Sequence, residues 1–151
     1  MKPTIVLGGD HAGFDLKEQI EAALLEDGYT VHDLGNTEFD AGDDYPKFAK
    51  AVANAVAGDQ SSRGILFCGN AEGVCIVANK VDDVRAGIGF STEAVRTARN
   101  DDDINVLCLP GRMMAFDTAR EIVRVFLETP FEGAKRQQRR LGQIADIEEN
   151  N

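Results

Sequence analysis

Apolar residues in this chain fall into short runs, and between the runs apolar and charged positions alternate at helical spacing. The runs are Thr4-Ile5-Val6-Leu7, Thr30-Val31-His32-Asp33-Leu34, Gly64-Ile65-Leu66-Phe67, Arg85-Ala86-Gly87-Ile88-Gly89-Phe90 and Asn105-Val106-Leu107-Cys108-Leu109, which read as five strands. Between them, Leu16, Ile20, Ala23 and Leu24 share one helical face with Lys17, Glu18 and Glu21 opposite, and Phe48, Val52, Ala55 and Val56 follow Pro46. Strand and helix therefore alternate, which predicts an α/β fold: a doubly wound, Rossmann-like parallel sheet of five strands with helices on both faces. In such sheets ligands bind beyond the carboxyl ends of the strands, so the loops after the first, third and fifth strands are the places to search. A last helix, from about Gly133 to Glu149, follows the fifth unit. Because the sheet already has its helices, this one is expected to dock on a partner subunit.

Composition narrows the picture. A chain of 151 residues, 43% of them hydrophobic, suits a single domain over residues 1–151. The net charge of -10 argues against nucleic-acid partners, which need clustered cations to release counterions, and against anionic membranes. Lys135, Arg136, Arg139 and Arg140 nevertheless sit together, and a local cationic cluster on an acidic protein suits a small anion. Cys68, Cys75 and Cys108 form neither a CxxC pair nor a metal-ligand spacing, which points to a reduced, cytoplasmic protein. The N-terminus enters a strand pattern at once, so no signal peptide is expected, and no run approaches the ~20 apolar residues of a membrane span.

Chemistry concentrates where the topology predicts it. The first strand ends in Gly8-Gly9-Asp10-His11-Ala12-Gly13, which is not a GxGxxG dinucleotide loop; Asp10 there reads equally as a helix cap or as a site acid beside an imidazole. The third strand runs into Cys68-Gly69-Asn70-Ala71-Glu72-Gly73-Val74-Cys75, whose glycines let backbone N–H groups approach an anion at the start of a helix. A thiol in that setting is biased toward the reactive thiolate. Taken alone, Cys68 fits a core thiol as well as a base, whereas Cys75 and Cys108 sit in apolar runs and read as core. Glu72 is a second candidate base or a simple partner of the helix dipole. The acidic runs Asp40, Asp43, Asp44 and Asp101, Asp102, Asp103 read mainly as solvated loops. Lys135 and Arg139 share a helix face, as do Arg136 and Arg140, forming either a phosphate clamp or a solvated helix end.

These segments together resemble the ribose-5-phosphate isomerase B and galactose-6-phosphate isomerase family. The likeness runs from Gly9-Asp10-His11-Ala12-Gly13 through Asp44-Tyr45-Pro46, Cys68-Gly69, Ala78-Asn79-Lys80, Arg85-Ala86, Asn105-Val106-Leu107 and Gly111-Arg112 to Gln137-Gln138-Arg139. The resemblance implies an aldose-ketose isomerase acting on a small phosphorylated sugar, ribose 5-phosphate first. It further implies a homodimer or dimer of dimers with shared sites, and no metal or other cofactor. Cys68 would be the proton-transfer base, Asp10 and Tyr45 would contact hydroxyls, and His11 would help hold the phosphate. The backbone from Gly69 to Gly73, with Asn70, would stabilise the enediolate, and Arg112, Lys135 and Arg139 of a partner subunit would complete the phosphate site.

Two departures from the family pattern stand out. A His-Asn pair, whose His is credited with opening the furanose ring, is replaced by Asp101 and Asp102. An ordinary Asp accepts a proton at neutral pH but cannot donate one. Lys135 stands where Arg is common and lacks its bidentate fork. Ring opening therefore uses Asp101 as base, runs slower, or is not needed for an acyclic substrate. Competing readings are an isomerase for allose, galactose or tetrose phosphate, a non-catalytic phosphosugar-binding subunit, and a flavodoxin-like electron carrier. The absence of Trp and the sparse aromatics near the candidate loops disfavour the last.

Overall fold

In a computed structural model describing residues 1–151, the apolar runs become β1 (Ile5–Gly9), β2 (Val31–Asp33), β3 (Arg63–Cys68), β4 (Ala86–Ile88) and β5 (Val106–Pro110). The intervening helices are α1 (Phe14–Glu26), α2 (Tyr45–Gly58), α3 (Glu72–Ala78), α4 (Thr92–Asp102) and α5 (Phe116–Glu128), and α6 (Lys135–Glu149) follows them. All strand pairs are parallel, in the order β2-β1-β3-β5-β4. The predicted doubly wound sheet is thus the observed one.

Successive residues of a strand point to opposite faces, and the two cores divide accordingly. Ile5, Leu7, Ile65, Phe67, Leu107 and Leu109 pack with α1, α4 and α5, while Val6, Leu66, Cys68, Val106 and Cys108 pack with α2 and α3. Strands buried on both faces read as continuous apolar runs, which is why the sequence announced them so clearly. Local signals set the helix starts: Pro46 lies in the first turn of α2, and Ser91 caps α4 by accepting from the Ala94 N–H at 3.1 Å.

One side chain on the expected polar face of α1 behaves differently. Lys17 is fully buried, its ammonium paired with Asp33 at the end of β2 and with Glu18 at 2.8 Å. It lies three residues before Ile20 and seven before Leu24, so helical spacing places it on the buried stripe. Helix α6 packs against α4 of its own chain, with Gln137 as its buried residue. No helix is long and apolar enough to cross a membrane.

Candidate active site

From β1 the chain passes outward to β2, and from β3 it passes the other way toward β5 and β4. Their exit loops therefore diverge and leave a crevice at the carboxyl end of the sheet. A cleft of 590 Å³ occupies it, bounded by Asp10, His11, Tyr45, Cys68, Gly69, Asn70, Glu72, Gly73 and Arg112, with Ala12, Ile76 and Met113 at its edges.

Asp10 directly follows β1 and is 6% exposed. Its Oδ1 accepts from the backbone N–H groups of Ala12 (3.0 Å) and Gly13 (3.2 Å), folding the loop and leaving Oδ2 without a bond inside the chain. Cys68 ends β3 at 4% exposure, with its carbonyl accepting from Gly111 N–H at 2.7 Å. The next carbonyl, Gly69, accepts from Arg112 N–H at 3.1 Å, which lays the Arg112 side chain across Gly69. Arg112 has no carboxylate partner in the chain and is the cleft's free cation. Asn70 Oδ1 accepts from Glu72 N–H at 3.1 Å, fixing the amide so that its nitrogen is left for a ligand. The turn between them places Ala71 in the left-handed region, φ 69°, fully buried. Non-glycine residues held there cost energy and cluster at functional turns. A Cβ on Gly73 would lie 2.5 Å from a Tyr45 ring carbon, so only glycine admits that ring against α3.

The most consequential contact was not legible beforehand. Asp43, expected in a solvated acidic loop, has a side chain only 1% exposed and binds His11 twice: Oδ1 accepts from the His11 backbone N–H at 2.9 Å and faces Nδ1 at 2.8 Å. Asn36 donates to Oδ2. Burial pushes the Asp43 carboxyl up, but the hydrogen bonds from His11 and Asn36 outweigh it and hold the group below its ordinary range. The bond to Asp43 in turn raises the His11 imidazole above 6.5, with smaller upward contributions from the Asp10 and Asp43 charges against burial and Arg112.

Among the proposed site residues, Cys68, Asn70, Asp10, His11, Tyr45, Gly69 and Gly73 converge on one cleft, and so does Glu72. Arg112 was expected from a neighbouring subunit, but it lines the cleft of its own chain because the β5 exit loop is tied to that of β3. Asp101 and Asp102 end α4, at the amino edge of the sheet and away from the cleft, and Lys135 and Arg139 are exposed on α6. Asp101 Oδ1 accepts from Asn100 (2.8 Å) and Gln137 (3.1 Å), joining α4 to α6. Asp103 pairs with Arg99 at 2.7 Å and with Arg85 at 3.3 Å.

The other thiols follow the core reading in part. Cys108 is fully buried, which drives its thiol well above the ordinary range, whereas Cys75 is half-buried and lowered by its contact with Cys108. A larger cavity of 750 Å³ lies between α1 and α5, lined by Lys2, Tyr29 and the charged residues Asp27, Arg120 and Arg124. Arg124 is already paired with Glu121 and Glu128, and Arg120 with Asp27. The cavity holds neither a thiol nor an imidazole and lies away from the carboxyl ends of the strands, so the smaller cleft is the chemical site.

Comparison with known proteins agrees with this geometry. Residues 5–144 match the family model described as Ribose/Galactose Isomerase. The chain is 40% identical to ribose-5-phosphate isomerase B of Mycolicibacterium paratuberculosis over 144 residues, covering 95% of this chain and 91% of that one. It is 39% identical to the Escherichia coli ribose-5-phosphate isomerase B, covering 89% and 90% of the two chains. The crystal structure of Mycoplasma genitalium ribose-5-phosphate isomerase B with bound ribulose-5-phosphate superposes with a TM-score of 0.95 at 41% identity, over 100% of this chain and 99% of that one. With one fold, one crevice and near-complete coverage in agreement, the chain belongs to the ribose/galactose isomerase family.

Proposed function

We propose that this sugar-phosphate isomerase interconverts ribose 5-phosphate and ribulose 5-phosphate through an enediolate, with Cys68 as the base. The observation that carries the reading is the place of Cys68: at the end of β3, in a crevice that also holds an imidazole, a free guanidinium and a carboxylate. Family membership, and a relative that binds ribulose-5-phosphate, support the substrate class.

The Cys68 thiolate takes the proton from C2 of the open-chain aldose. The electron pair moves into a C1–C2 double bond and negative charge develops on O1, facing the backbone N–H groups from Gly69 to Gly73 and the Asn70 amide. The O2 proton passes to O1, the proton held by Cys68 returns to C1, and O2 becomes the ketone. Asp10 and Tyr45 orient hydroxyls, and His11 and Arg112 hold the phosphate. A second copy of the chain contributes Lys135 and Arg139 to the phosphate and places Asp101, with Asp102 beside it, as the base for ring opening. Exposed Ile144 and Ile147 on α6 supply an apolar face on which that copy docks.

Glu72 lines the same cleft and is the competing base. Cys68→Ala abolishing exchange of the C2 proton with solvent, while Glu72→Gln retains it, selects Cys68; the reverse outcome selects Glu72. Shared sites are tested by mixing inactive Cys68→Ala protein with a Lys135→Ala/Arg139→Ala variant. Exchange of subunits should restore about a quarter of wild-type activity, since half the dimers are mixed and each holds one intact site. No recovery would place the cationic face outside the site.

A further inference from the structure

Asp43 belongs to none of the roles above, yet its surroundings are unusually specific. Its carboxylate is buried, 32 residues from His11 in the chain, and takes both the backbone N–H and the ring Nδ1 of that residue. The loop that carries it is pinned at both ends. At the start, Asp33 binds buried Lys17 and accepts from Gly35 N–H at 3.0 Å, and at the finish Asn36 donates to Asp43. A carboxylate facing Nδ1 requires a proton on Nδ1, so the imidazole has one tautomer when neutral and turns Nε2 outward. The outward edge belongs to the cleft, where Arg112 is close enough to oppose the imidazolium charge.

Resting on the isomerase reading, we infer that Asp43 is a positioning residue: it locks His11 with Nδ1–H turned inward and Nε2–H presented to the cleft, so that His11 and Arg112 together receive the substrate phosphate. The geometry is that of a carboxylate orienting an imidazole, used here for anion recognition rather than for proton transfer. Asp10 and Asp43 favour the imidazolium, Arg112 opposes it, and Tyr45, Cys68 and Glu72 are the remaining titratable groups around the cleft. Because His11 titrates above 6.5, phosphate affinity on this side is fully present at lower pH and is lost as pH rises through the His11 value. The phosphate becomes a dianion above about pH 6, so affinity passes through a maximum between the two titrations.

The test uses the full chain with Asp43→Asn, His11→Asn and the double variant. His11 and His32 are the two histidines, so ring ¹⁵N spectra contain two imidazoles, assigned by His32→Gln. In the wild type, His11 should titrate above 6.5 with its neutral form protonated on Nδ1; in Asp43→Asn the titration moves to lower pH. Near neutral pH, binding of inorganic phosphate and the KM for ribose 5-phosphate should each weaken about tenfold in Asp43→Asn, with the loss in KM rather than kcat. In the His11→Asn background, Asp43→Asn should add no further loss. An unchanged His11 titration and tautomer, or losses that add in the double variant, overturns the proposal, the second because Asp43 would then serve only the fold of its loop. Failure of the isomerase reading looks different, since wild-type protein would then turn over no ribose 5-phosphate while the His11 titration still responds to Asp43.

Discussion

The two ends of the sheet each carry a run of aspartates, but the polar groups around those runs are committed differently. At the amino edge, Asp103 neutralises Arg99, which is 4% exposed at its side chain, and that arginine also donates to the Ile104 carbonyl at 2.5 Å and the Thr129 carbonyl at 3.2 Å. Asn105 closes the same region through the Asp83 carbonyl at 2.8 Å and the Arg85 N–H. Polar groups there are spent on one another, so that end is scaffold. At the carboxyl edge, Arg112 has no carboxylate, one oxygen of Asp10 and the amide nitrogen of Asn70 have no partner within the chain, and Cys68 faces a cleft. Unspent hydrogen-bonding capacity around a cavity marks a ligand site better than charge density does, because buried polar groups are otherwise nearly always paired.

This contrast has measurable consequences. Cys68→Ala strikes the open end and should lower kcat about a thousandfold, on the scale of a lost proton-transfer group, while the loss of one buried sulfur should cost only about 1 kcal/mol in urea denaturation. Arg99→Ala strikes the saturated end and should cost about 3 kcal/mol in urea denaturation, because Asp103 loses the nearer of its two arginines and two carbonyls lose a donor. A loss below about 1 kcal/mol would show that the amino edge is no more committed to stability than the cleft. Gly111→Ala sets a Cβ 2.6 Å from the Ala12 carbonyl oxygen, between the two exit loops, and should cost about 1–3 kcal/mol together with a raised KM.

Acid provides a gentler probe. The Asp43 carboxyl is held below its ordinary value, so its contribution to stability is present above about pH 4 and is lost as pH falls through the native value. Unfolding free energy measured against pH should therefore decline less steeply in Asp43→Asn than in wild type below that point. Alkylation is the mildest distinction: half-buried Cys75 should label in the native protein, whereas fully buried Cys108 should label only once urea unfolds the chain.

The order of strands and helices was legible because hydrophobic period is a local property. Runs buried on both faces, such as Ile65-Leu66-Phe67, and the Leu16, Ile20, Leu24 stripe each reveal their element within a few residues. The cleft was legible for a related reason: Asp10-His11 and Cys68-Gly69-Asn70 lie at the exits of adjacent strands, and parallel topology alone brings such exits together.

What stayed hidden depends on partners distant in the chain. Among Asp40, Asp43 and Asp44, nothing local distinguishes the one that turns inward; Asp43 is buried because His11 and Asn36 meet it there. Arg112 looked like a residue for a neighbouring subunit until the bond between the β3 and β5 exits drew it over Gly69. The amino-acid pattern therefore specified the sheet, its two apolar faces and the loops where chemistry gathers. Which charges are buried and which stand free was settled by folding, because removing a charge from water is tolerated only where a partner 16 or 32 residues away arrives to meet it, as Asp33 meets Lys17 and Asp43 meets His11.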